Sequence, residues 1–492
     1  MKTEAYLGLD LGGTGVKAGV FSRHGKMLAF GRKQFEPTVS REGHVDIPVE
    51  TIREAARSAV REVAGKSGAE ILAMAVSSQG ETFVTLDAKD RPLHDAIMWY
   101  DSRAGKQAAE LRRAVQAATG RPSSIDAIVT VSKIKWLKEN RPGPMRRARR
   151  HLLLPDYVSY ILTGRAATDI NTAGSTGMMA PGGRAYDPAV LKAGGIDEHQ
   201  LADVLPPGTP VAKIRLQAAK AWGLSPGTLL VAGTNDQYAG ALGAGNCRPG
   251  ILSETSGTCL ALVTLAVKPP RALPEGLMSG SFPVPGHWFI LAYSKTAGLV
   301  LDWFRNEFYR SAPWKDMEAA AKAVPAGSNG LLALPHFDGT ISPVGNPSAR
   351  GAFCNLTLRH KKADMFRALL ESLAFSLREN MEIIARSGYD PQVVRSIGGG
   401  AQNSLWLQIK ADVTGREIEK PAVSEAAVFG AAMLAAAGRG EFKTAAEASE
   451  KFYRTRRIFA PDRRNARRYR AAFEGYLRLK EQLYNEPRAR QE

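Results

Sequence analysis

Apolar and polar positions follow one another along this chain in blocks that predict strands and helices in a regular order. Apolar runs of strand length end in glycine-rich or polar turns, and one longer stretch has apolar residues at helical spacing. In the first half these blocks predict strands at residues 6–10, 16–21, 27–30 and 71–76, with a helix at 48–64 before the last of them. This order of elements predicts an α/β fold.

A similar order of elements begins again near residue 250. It consists of a strand and polar turn at 251–258, a strand at 259–267, a helix at 362–387, a strand at 393–397 and a helix at 404–414. The chain is therefore predicted to contain two related domains, residues 1–246 and 247–445. A basic helical segment, residues 446–492, is predicted to follow them.

Composition and charge narrow the class of protein. The chain has 492 residues, of which 44% are hydrophobic and 23% are charged, and this is typical of a globular protein. The formal net charge is +18, but the basic stretches at 146–150 and after residue 454 contain no recognisable nucleic-acid-binding motif. We interpret them as solvated surface charge, which could help to attract anionic ATP, and expect no specific nucleic-acid or membrane partner.

Cysteine content and the N-terminal residues bear on the cellular compartment. The three cysteines are odd in number and lack Cys-x-x-Cys spacing, so we expect no disulfide framework and a reducing environment. The N-terminus lacks the apolar stretch of a signal peptide. No apolar run reaches the roughly 18 residues that a membrane span needs. These features predict a cytoplasmic protein.

Asp236 is the carboxylate whose position most suggests catalysis. It follows an apolar run at residues 228–232 that is predicted to be a buried strand. Ligands of open α/β sheets bind beyond the carboxyl ends of strands, and a carboxylate placed there can accept a proton from a substrate. Asp236 could equally be the N-cap of the following helix. This segment alone leaves both interpretations open.

Two turns in corresponding places of the two halves could hold phosphate. In the first, Gly12 and Gly13 let backbone N–H groups approach an anion, Thr14 adds a hydroxyl donor and Asp10 could hold Mg²⁺. The second turn, residues 255–258, repeats the glycine and hydroxyl groups without a carboxylate. Ordinary hairpin turns have similar compositions, but the duplication favours a polyphosphate held between the two domains.

A third turn, residues 398–403, ends a predicted strand and opens a predicted helix. Its glycines would admit a bulky ligand against the backbone, and Asn403 could bind a nucleotide or cap the helix. The glycine spacing is that of neither a Walker A loop nor a Rossmann fingerprint. The turn is therefore a candidate nucleotide contact of another kind.

Taken in order over about residues 5–440, these segments resemble the FGGY carbohydrate kinases of the sugar kinase, actin and Hsp70 superfamily. Each motif is weakly specific, whereas the ordered set is highly specific. The matching segments are 10–17, 78–81, 99–103, 156–157, 162–164, 233–237, 256–258, 398–403, 411–412, Gly415 and 429–432.

The resemblance implies a fold of two ribonuclease-H-like, or actin-like ATPase, domains flanking a deep cleft. It implies that Asp236 is the catalytic base and that Asp10 is the acid associated with Mg²⁺. The residues implied to bind substrate are Gln79, Gly80, Glu81, Asp101, Asp236 and Gln237. Those implied to bind ATP are Gly12, Gly13, Thr14, Lys17, Ser256, Gly257, Thr258, Gly399, Gly400, Ala401 and Asn403.

The sequence departs from the family pattern where the substrate is expected. Gly13 stands where family members often have a hydroxyl residue. Residues 79–81 resemble the Gln-Arg-Glu of glycerol kinases, but Gly80 replaces the arginine, and we expect the lost bulk to open the pocket. Xylulose kinases typically have Gln-Met-His there. Residues 338–343 lack the Glu-Arg pair often found before the proline.

The resemblance therefore predicts an ATP-dependent carbohydrate kinase, with a ketopentose such as xylulose as the first candidate substrate. A polyol, glycerol or a tetrulose is the alternative within the family. An alternative of another class is a non-enzymatic actin-like assembly protein or sugar-sensing regulator. A homodimer is implied by the resemblance alone.

Overall fold

The computed structural model describes residues 3–180 and 182–485. Among them, no helix combines the length and the apolar character needed to cross a membrane. The strands are β1 (Glu4–Gly12), β2 (Gly15–Ser22), β3 (Met27–Gln34), β4 (Thr38–Val39), β5 (Val45–Ile47), β6 (Glu70–Ser78), β7 (Phe83–Leu86), β8 (Ala96–Ile97), β9 (Arg150–Leu153), β10 (Ala167–Asp169), β11 (Asp203–Leu205), β12 (Pro210–Lys213), β13 (Leu229–Asn235), β14 (Ile251–Ser256), β15 (Leu260–Ala266), β16 (Leu277–Ser281), β17 (Trp288–Ser294), β18 (Leu332–Leu334), β19 (Ala352–Cys354), β20 (Val393–Ile397), β21 (Glu417–Pro421) and β22 (Thr455–Phe459).

Helices alternate with these strands along most of the described chain. They are α1 (Val49–Ser67), α2 (Gly105–Thr119), α3 (Thr130–Asn140), α4 (Pro142–Met145), α5 (Leu154–Thr163), α6 (Ile170–Gly174), α7 (Pro188–Gly194), α8 (Leu216–Trp222), α9 (Asp236–Gly243), α10 (Gly298–Tyr309), α11 (Trp314–Lys322), α12 (Lys362–Arg386), α13 (Ser404–Thr414), α14 (Ala426–Arg439), α15 (Ala445–Phe452) and α16 (Arg463–Asn485).

The chain divides into two compact units. Of the described residues, the first unit contains those up to 245 together with 280–285 and 426–452, and the second contains 246–279, 286–425 and 453–485. The predicted division after residue 246 falls close to the first crossing between units. The later return of the chain to the first unit was not predicted.

The first unit is built on a six-stranded sheet in the order β12-β13-β6-β1-β2-β3. Strands β1, β6 and β13 are parallel to one another, while β2 forms a hairpin with β1. Helix α1 buries its apolar positions, Ile52, Ala56, Val60 and Val63 among them, and contacts β2 and β3. A second sheet, β4-β5-β8-β7-β9, lies within the same unit.

Helix α14 packs against β1, β6 and α9, which explains why residues 426–452 belong to the first unit. The approach is so close that a Cβ on Gly8 would lie 1.8 Å from the carbonyl oxygen of Val428. A Cβ on Gly430 would lie 1.9 Å from that of Ala239. Glycine at both positions lets the backbones meet. The sequence predicts residues 426–445 as part of the second domain, and the structure differs there.

The second unit contains a sheet in which β17, β15, β14, β20, β21 and β22 are neighbours in that order. Strands β14 and β20 are parallel, and β14 and β15 form a hairpin, as in the first unit. Helices α12 and α13 pack together on this frame. The predicted recurrence of strand, turn and strand is therefore present.

The segment predicted as a basic helical tail is divided between the units. Helix α15 lies in the first unit, β22 pairs with β21 in the second, and α16 packs the buried side chains of Tyr469, Phe473 and Tyr476 into the second unit's core. Its basic residues occupy the other positions of the helix. Residues 486–492 of the predicted segment lie outside the described residues.

Candidate active site

The register of the first unit's sheet brings the predicted catalytic and phosphate-binding segments to one edge. Lys17 pairs with Asp10, Asp10 with Ser77 and Ser77 with Thr234, which forms one row across β2, β1, β6 and β13. Neighbouring strands lie about 4.8 Å apart. Because β1, β6 and β13 are parallel, the residues that follow them leave the sheet at the same edge. Ser77 Oγ also donates a hydrogen bond of 2.9 Å to Asp10 Oδ1.

Asp236 is the first residue of α9, and its neighbour provides the helix cap. The Asn235 side chain accepts a hydrogen bond of 3.0 Å from the backbone N–H of Gln237. The alternative that Asp236 is the N-cap is therefore wrong. A register shift between Val231 and Thr234 immediately precedes this turn. Bulges of this kind redirect side chains next to functional sites.

The half-buried Asp236 carboxyl has an unusual acidity. Burial, followed by the negative charge of Asp10, raises its pKa from 3.8 to about 7. Both causes disfavour the charged form. A carboxyl group with a pKa near neutrality is well matched to general base catalysis.

Gly80 lies in the turn that follows β6, but it does not open the pocket as expected. A Cβ at this position would lie 2.2 Å from the Oγ of Ser175 and 2.9 Å from its Cβ. The space that a larger side chain would need is thus filled by Ser175, which comes from the end of α6. The expectation that Gly80 enlarges the pocket is wrong for this reason.

Glu81 is held in a backbone conformation that non-glycine residues rarely adopt. Its φ is 45°, and the Thr130 hydroxyl donates a hydrogen bond of 3.1 Å to its carbonyl oxygen. Burial raises the pKa of the Glu81 carboxyl to about 7, and the charge of Asp236 adds to this while Lys133 opposes it. Backbone strain of this kind often accompanies function.

Lys133 is a candidate site residue that the sequence does not single out. Its side chain is fully buried, and Nζ donates to the carbonyl oxygens of Met98 at 2.8 Å and Trp99 at 2.9 Å. Burial lowers the pKa of Lys133 to about 7, against the opposing charge of Glu81. In the sequence it resembles any other helical lysine, so its burial could not be foreseen.

Asp101, a predicted substrate contact, forms several hydrogen bonds with other groups of the protein. Its carboxylate accepts hydrogen bonds from the Val45 N–H at 2.6 Å and from Arg103 Nε at 2.9 Å and Nη2 at 2.7 Å. Arg103 also binds Asp46 at 2.8 Å. Burial works to raise the pKa of Asp101, but these bonds hold it below its usual value. The geometry supports a role in positioning Arg103, and direct substrate contact stays a prediction.

Two glutamine side chains at this edge carry buried amide oxygens that lack partners. Among the described residues, Gln79 Oε1 and Gln237 Oε1 accept no hydrogen bond, although Gln79 Nε2 donates to Thr82 at 3.2 Å. Buried acceptors normally have partners. Both oxygens are therefore ready to accept hydrogen bonds from a ligand.

In the second unit, the turn after β14 keeps its backbone close to α10. The N–H of Gly298 donates to the carbonyl of Gly257 at 2.8 Å, and that of Ala297 to Thr258 at 2.9 Å. Thr258 is exposed, so its hydroxyl is accessible to a phosphate. The Ser256 hydroxyl, in contrast, is buried and bonds to Glu254.

The turn after β20 lies beside it, because β14 and β20 are parallel and Thr255 pairs with Ile397. A Cβ on Gly400 would lie 2.5 Å from the Cβ of Ser256. Asn403 caps α13, since its side chain accepts a hydrogen bond of 2.9 Å from the Trp406 N–H. The two predicted nucleotide turns of this unit are thus in contact. Ala401 is buried, which leaves its backbone as the part available to a ligand.

Comparison with known proteins places the chain in a family. Residues 5–243 match the FGGY family of carbohydrate kinases, N-terminal domain, and residues 253–439 match the C-terminal domain. This chain belongs to the FGGY family of carbohydrate kinases. It is therefore a phosphotransferase that acts on an alcohol group of a sugar, and ATP as phosphate donor follows from the family. The predicted family and enzyme class are confirmed.

Individual relatives share the whole length of the chain at modest identity. The chain is 27% identical over 482 residues to a xylulose kinase of Bacillus subtilis, with 96% of each covered. It is also 27% identical to a gluconokinase of the same organism, with 98% of this chain and 97% of the relative covered.

The fold is also shared. The crystal structure of a xyloylose kinase from Brucella ovis superposes with a TM-score of 0.88 at 24% identity and covers 98% of this chain and 99% of its own. The predicted α/β fold of two actin-like ATPase domains is confirmed. The curated relatives differ in the substrate that they are named for, so the sugar must be inferred from the site.

Proposed function

We propose that this enzyme transfers the γ-phosphoryl group of ATP to a hydroxyl of a small neutral sugar, with a ketopentose such as xylulose as the first candidate. The observation that carries the proposal is the run of hydrogen-bond acceptors at the edge of the first unit's sheet. Glu81 and Asp236 supply carboxylates, and Gln79 and Gln237 supply amide oxygens without partners among the described residues. A polyhydroxy substrate brings one O–H donor for each acceptor.

The charge of the site disfavours a sugar acid such as gluconate. A substrate carboxylate would meet Glu81 and Asp236, whose mutual repulsion already contributes to the raised pKa of Glu81. The neighbouring cations are engaged elsewhere, since Lys133 is buried against two carbonyl groups and Arg103 against two carboxylates. Like charges at one site cost affinity. We therefore favour the substrate class of the xylulose kinases over that of the gluconokinases.

Asp236 is proposed as the general base. It takes the proton of the attacking hydroxyl, whose oxygen forms a bond to the γ-phosphorus as the bond to the bridging oxygen breaks and ADP leaves. With a pKa near 7, Asp236 is ionised in a large fraction of the protein molecules at neutral pH and can still accept a proton. Asp236 and its neighbours thus supply positioning and proton acceptance, which are what phosphoryl transfer requires.

The glycine turns are proposed to hold ATP. In the first unit this is the turn at 12–14 with Lys17, and in the second unit the turns at 256–258 and 399–403. Among the described residues, no group of three acidic, His or Cys side chains could hold a metal alone. Mg²⁺ commonly takes one or two carboxylates plus phosphate and water, so Asp10 fits it, and a bound Mg²⁺ would neutralise phosphate charge. The homodimer stays a prediction.

A substrate panel tests the proposal. ADP release would be measured with xylulose, a tetrulose, glycerol, a pentitol and gluconate, each with Mg-ATP. We expect kcat/KM to be highest for a neutral substrate, and glycerol, a polyol or the tetrulose as best substrate would select the alternative within the same class. Asp236→Asn should lower kcat by about 10²–10⁴-fold, whereas the exposed Asp203→Asn should not change it. Gluconate as best substrate, or full activity of Asp236→Asn, would refute the proposal.

A further inference from the structure

We propose that Lys410 is a positioning residue, which fixes the two glycine turns of the second unit relative to one another for nucleotide binding. The inference rests on the proposed function, in which these turns hold ATP. It concerns a buried polar network of Glu254, Ser256, Ser396 and Lys410. None of these side chains except Ser256 belongs to a motif of the predicted site.

The ammonium group of Lys410, at the centre of the network, has hydrogen-bond partners for all its donors. Lys410 Nζ donates to the two carboxylate oxygens of Glu254 at 3.0 and 2.9 Å and to the Oγ of Ser256 at 2.8 Å. These bonds use all three donors of an ammonium group. The Ser256 hydroxyl donates to Glu254 Oε1 and the Ser396 hydroxyl to Glu254 Oε2, the two oxygens that Lys410 also contacts. Both charged side chains are almost wholly buried, with exposed fractions of 1% for Lys410 and 0% for Glu254.

Ser256 connects this network to both turns. It is the last residue of β14, so its backbone leads directly into Gly257 and Thr258. A Cβ on Gly398, whose φ is 80°, would lie 3.1 Å from the Ser256 carbonyl oxygen, and one on Gly400 would lie 2.5 Å from the Ser256 Cβ. The position of Ser256 therefore fixes how closely the two turns approach.

Trp406 provides a second connection. Its indole ring lies 3.9 Å from Lys410 Nζ, and its Nε1–H donates to the carbonyl of Leu370 at 3.1 Å. The same ring lies 2.5 Å from the position of a Cβ on Gly400. A buried ammonium over an indole ring is an attractive contact. Lys410 thus contacts Ser256, which leads into the turn after β14, and Trp406, which lies against Gly400 in the turn after β20.

Stability alone does not account for such a pair. Replacement of a buried ion pair by apolar side chains of similar volume is often neutral or stabilising, whereas removal of one partner is costly. Glu254 and Lys410 occupy buried positions of β14 and α13, where leucine or methionine would pack without charge. A directional network in that place restricts the geometry of the turns, which an apolar core does not.

Nucleotide binding by the purified full chain tests the inference without knowledge of the sugar. The Kd of Mg-ATP would be measured by calorimetry for the wild type, Ser256→Ala and the double variant Glu254→Met with Lys410→Met. Both variants should bind about tenfold more weakly, which corresponds to the loss of one well-placed interaction. The double variant leaves no unpaired buried charge, so its Tm should stay close to that of the wild type.

The matched control is another buried ion pair of the second unit. Arg367 and Glu371 form a bond of 2.9 Å and contact Tyr469, not the glycine turns. The double variant Arg367→Met with Glu371→Met should keep the wild-type Kd. Unchanged nucleotide binding in both network variants, or equal weakening in the control, would overturn the inference and leave the kinase proposal standing. Failure of the wild type to bind Mg-ATP would overturn the proposed function itself, and the inference with it.

Discussion

Substitution of Gly80 by alanine should impair the proposed sugar site, because Ser175 fills the space beside this glycine. The new methyl carbon would lie 2.2 Å from Ser175 Oγ, 2.9 Å from Ser175 Cβ and 3.5 Å from Asn235 Nδ2. Only the last is an ordinary contact distance. Ser175 cannot rotate away freely, since its hydroxyl donates to the carbonyl of Thr172 at 2.9 Å.

The size of the effect follows from these contacts. Overpacking by one methyl group costs about 1–3 kcal/mol. Displacement of Ser175 would also forfeit its hydrogen bond to Thr172, worth about 0.5–1.5 kcal/mol. If Glu81 must shift with the turn, a cost of about 1–3 kcal/mol appears in kcat/KM as a loss of about 5- to 150-fold.

A double-mutant cycle separates this contact from a general disturbance. Ser175→Ala removes the hydroxyl but leaves its Cβ at 2.9 Å, so it should rescue Gly80→Ala only in part, whereas Ser175→Gly should rescue it more fully. The assay is kcat/KM for the best sugar, with Tm measured in parallel. Gly174→Ala is the matched control, because a Cβ there has no neighbour within 4 Å among the described residues.

The reasoning would be refuted by a Gly80→Ala enzyme with wild-type kcat/KM and Tm. It would also be refuted if the effects of Gly80→Ala and Ser175→Gly were simply additive, since the contact requires a favourable coupling between them. A loss in Gly174→Ala of the same size would show that the turn, and not the contact, is sensitive.

Two further predictions concern the same edge of the sheet. Because the pKa of Asp236 is raised to about 7, kcat/KM for the sugar should fall as the pH is lowered through 7, and a flat profile between pH 5.5 and 8 would contradict this. Because the pKa of Asp236 is higher in the folded protein than its ordinary value of 3.8, Asp236 makes the free energy of unfolding fall as the pH rises from about 4 to 7. Asp236→Asn should therefore weaken that pH dependence in denaturant titrations. Gly13→Ser should raise the KM for sugar about threefold relative to Gly13→Ala. The new hydroxyl can donate to Gln79 Oε1, which lies 3.1 Å from the added Cβ, and would thereby occupy an acceptor proposed for the sugar. Equal KM values for the two variants would contradict this prediction.

The sequence was sufficient for those features that local patterns determine. The predicted strands at 6–10, 16–21 and 71–76 lie within β1, β2 and β6, and the glycine turns fall where the strands end. Strand periodicity and turn residues act over a few neighbouring positions, so a single sequence carries them. The placement of Asp236 after a strand followed from the same local signals.

Features that depend on distant segments could not be predicted. Ser175 meets Gly80, and Lys133 meets the carbonyls of Met98 and Trp99, through contacts that join different elements. The return of α14 to the first unit depends on a backbone approach at Gly8. Tertiary packing decides these contacts, and the sequence alone shows only a glycine, a serine and a lysine.

The electrostatics of the first unit's site link substrate choice to catalysis. The burial that raises the pKa of Asp236 towards the value a base requires also raises that of Glu81, and the φ of 45° at Glu81 adds backbone strain. Both costs lower the stability of the free protein. A ligand that donates hydroxyl hydrogens to these carboxylates would relieve part of the cost, whereas an anionic ligand would increase it. Under the proposed function, the same groups that suit Asp236 to act as a base would also favour a neutral polyhydroxy substrate, and a change at Glu81 or Lys133 should alter the sugar preference and the pH profile together.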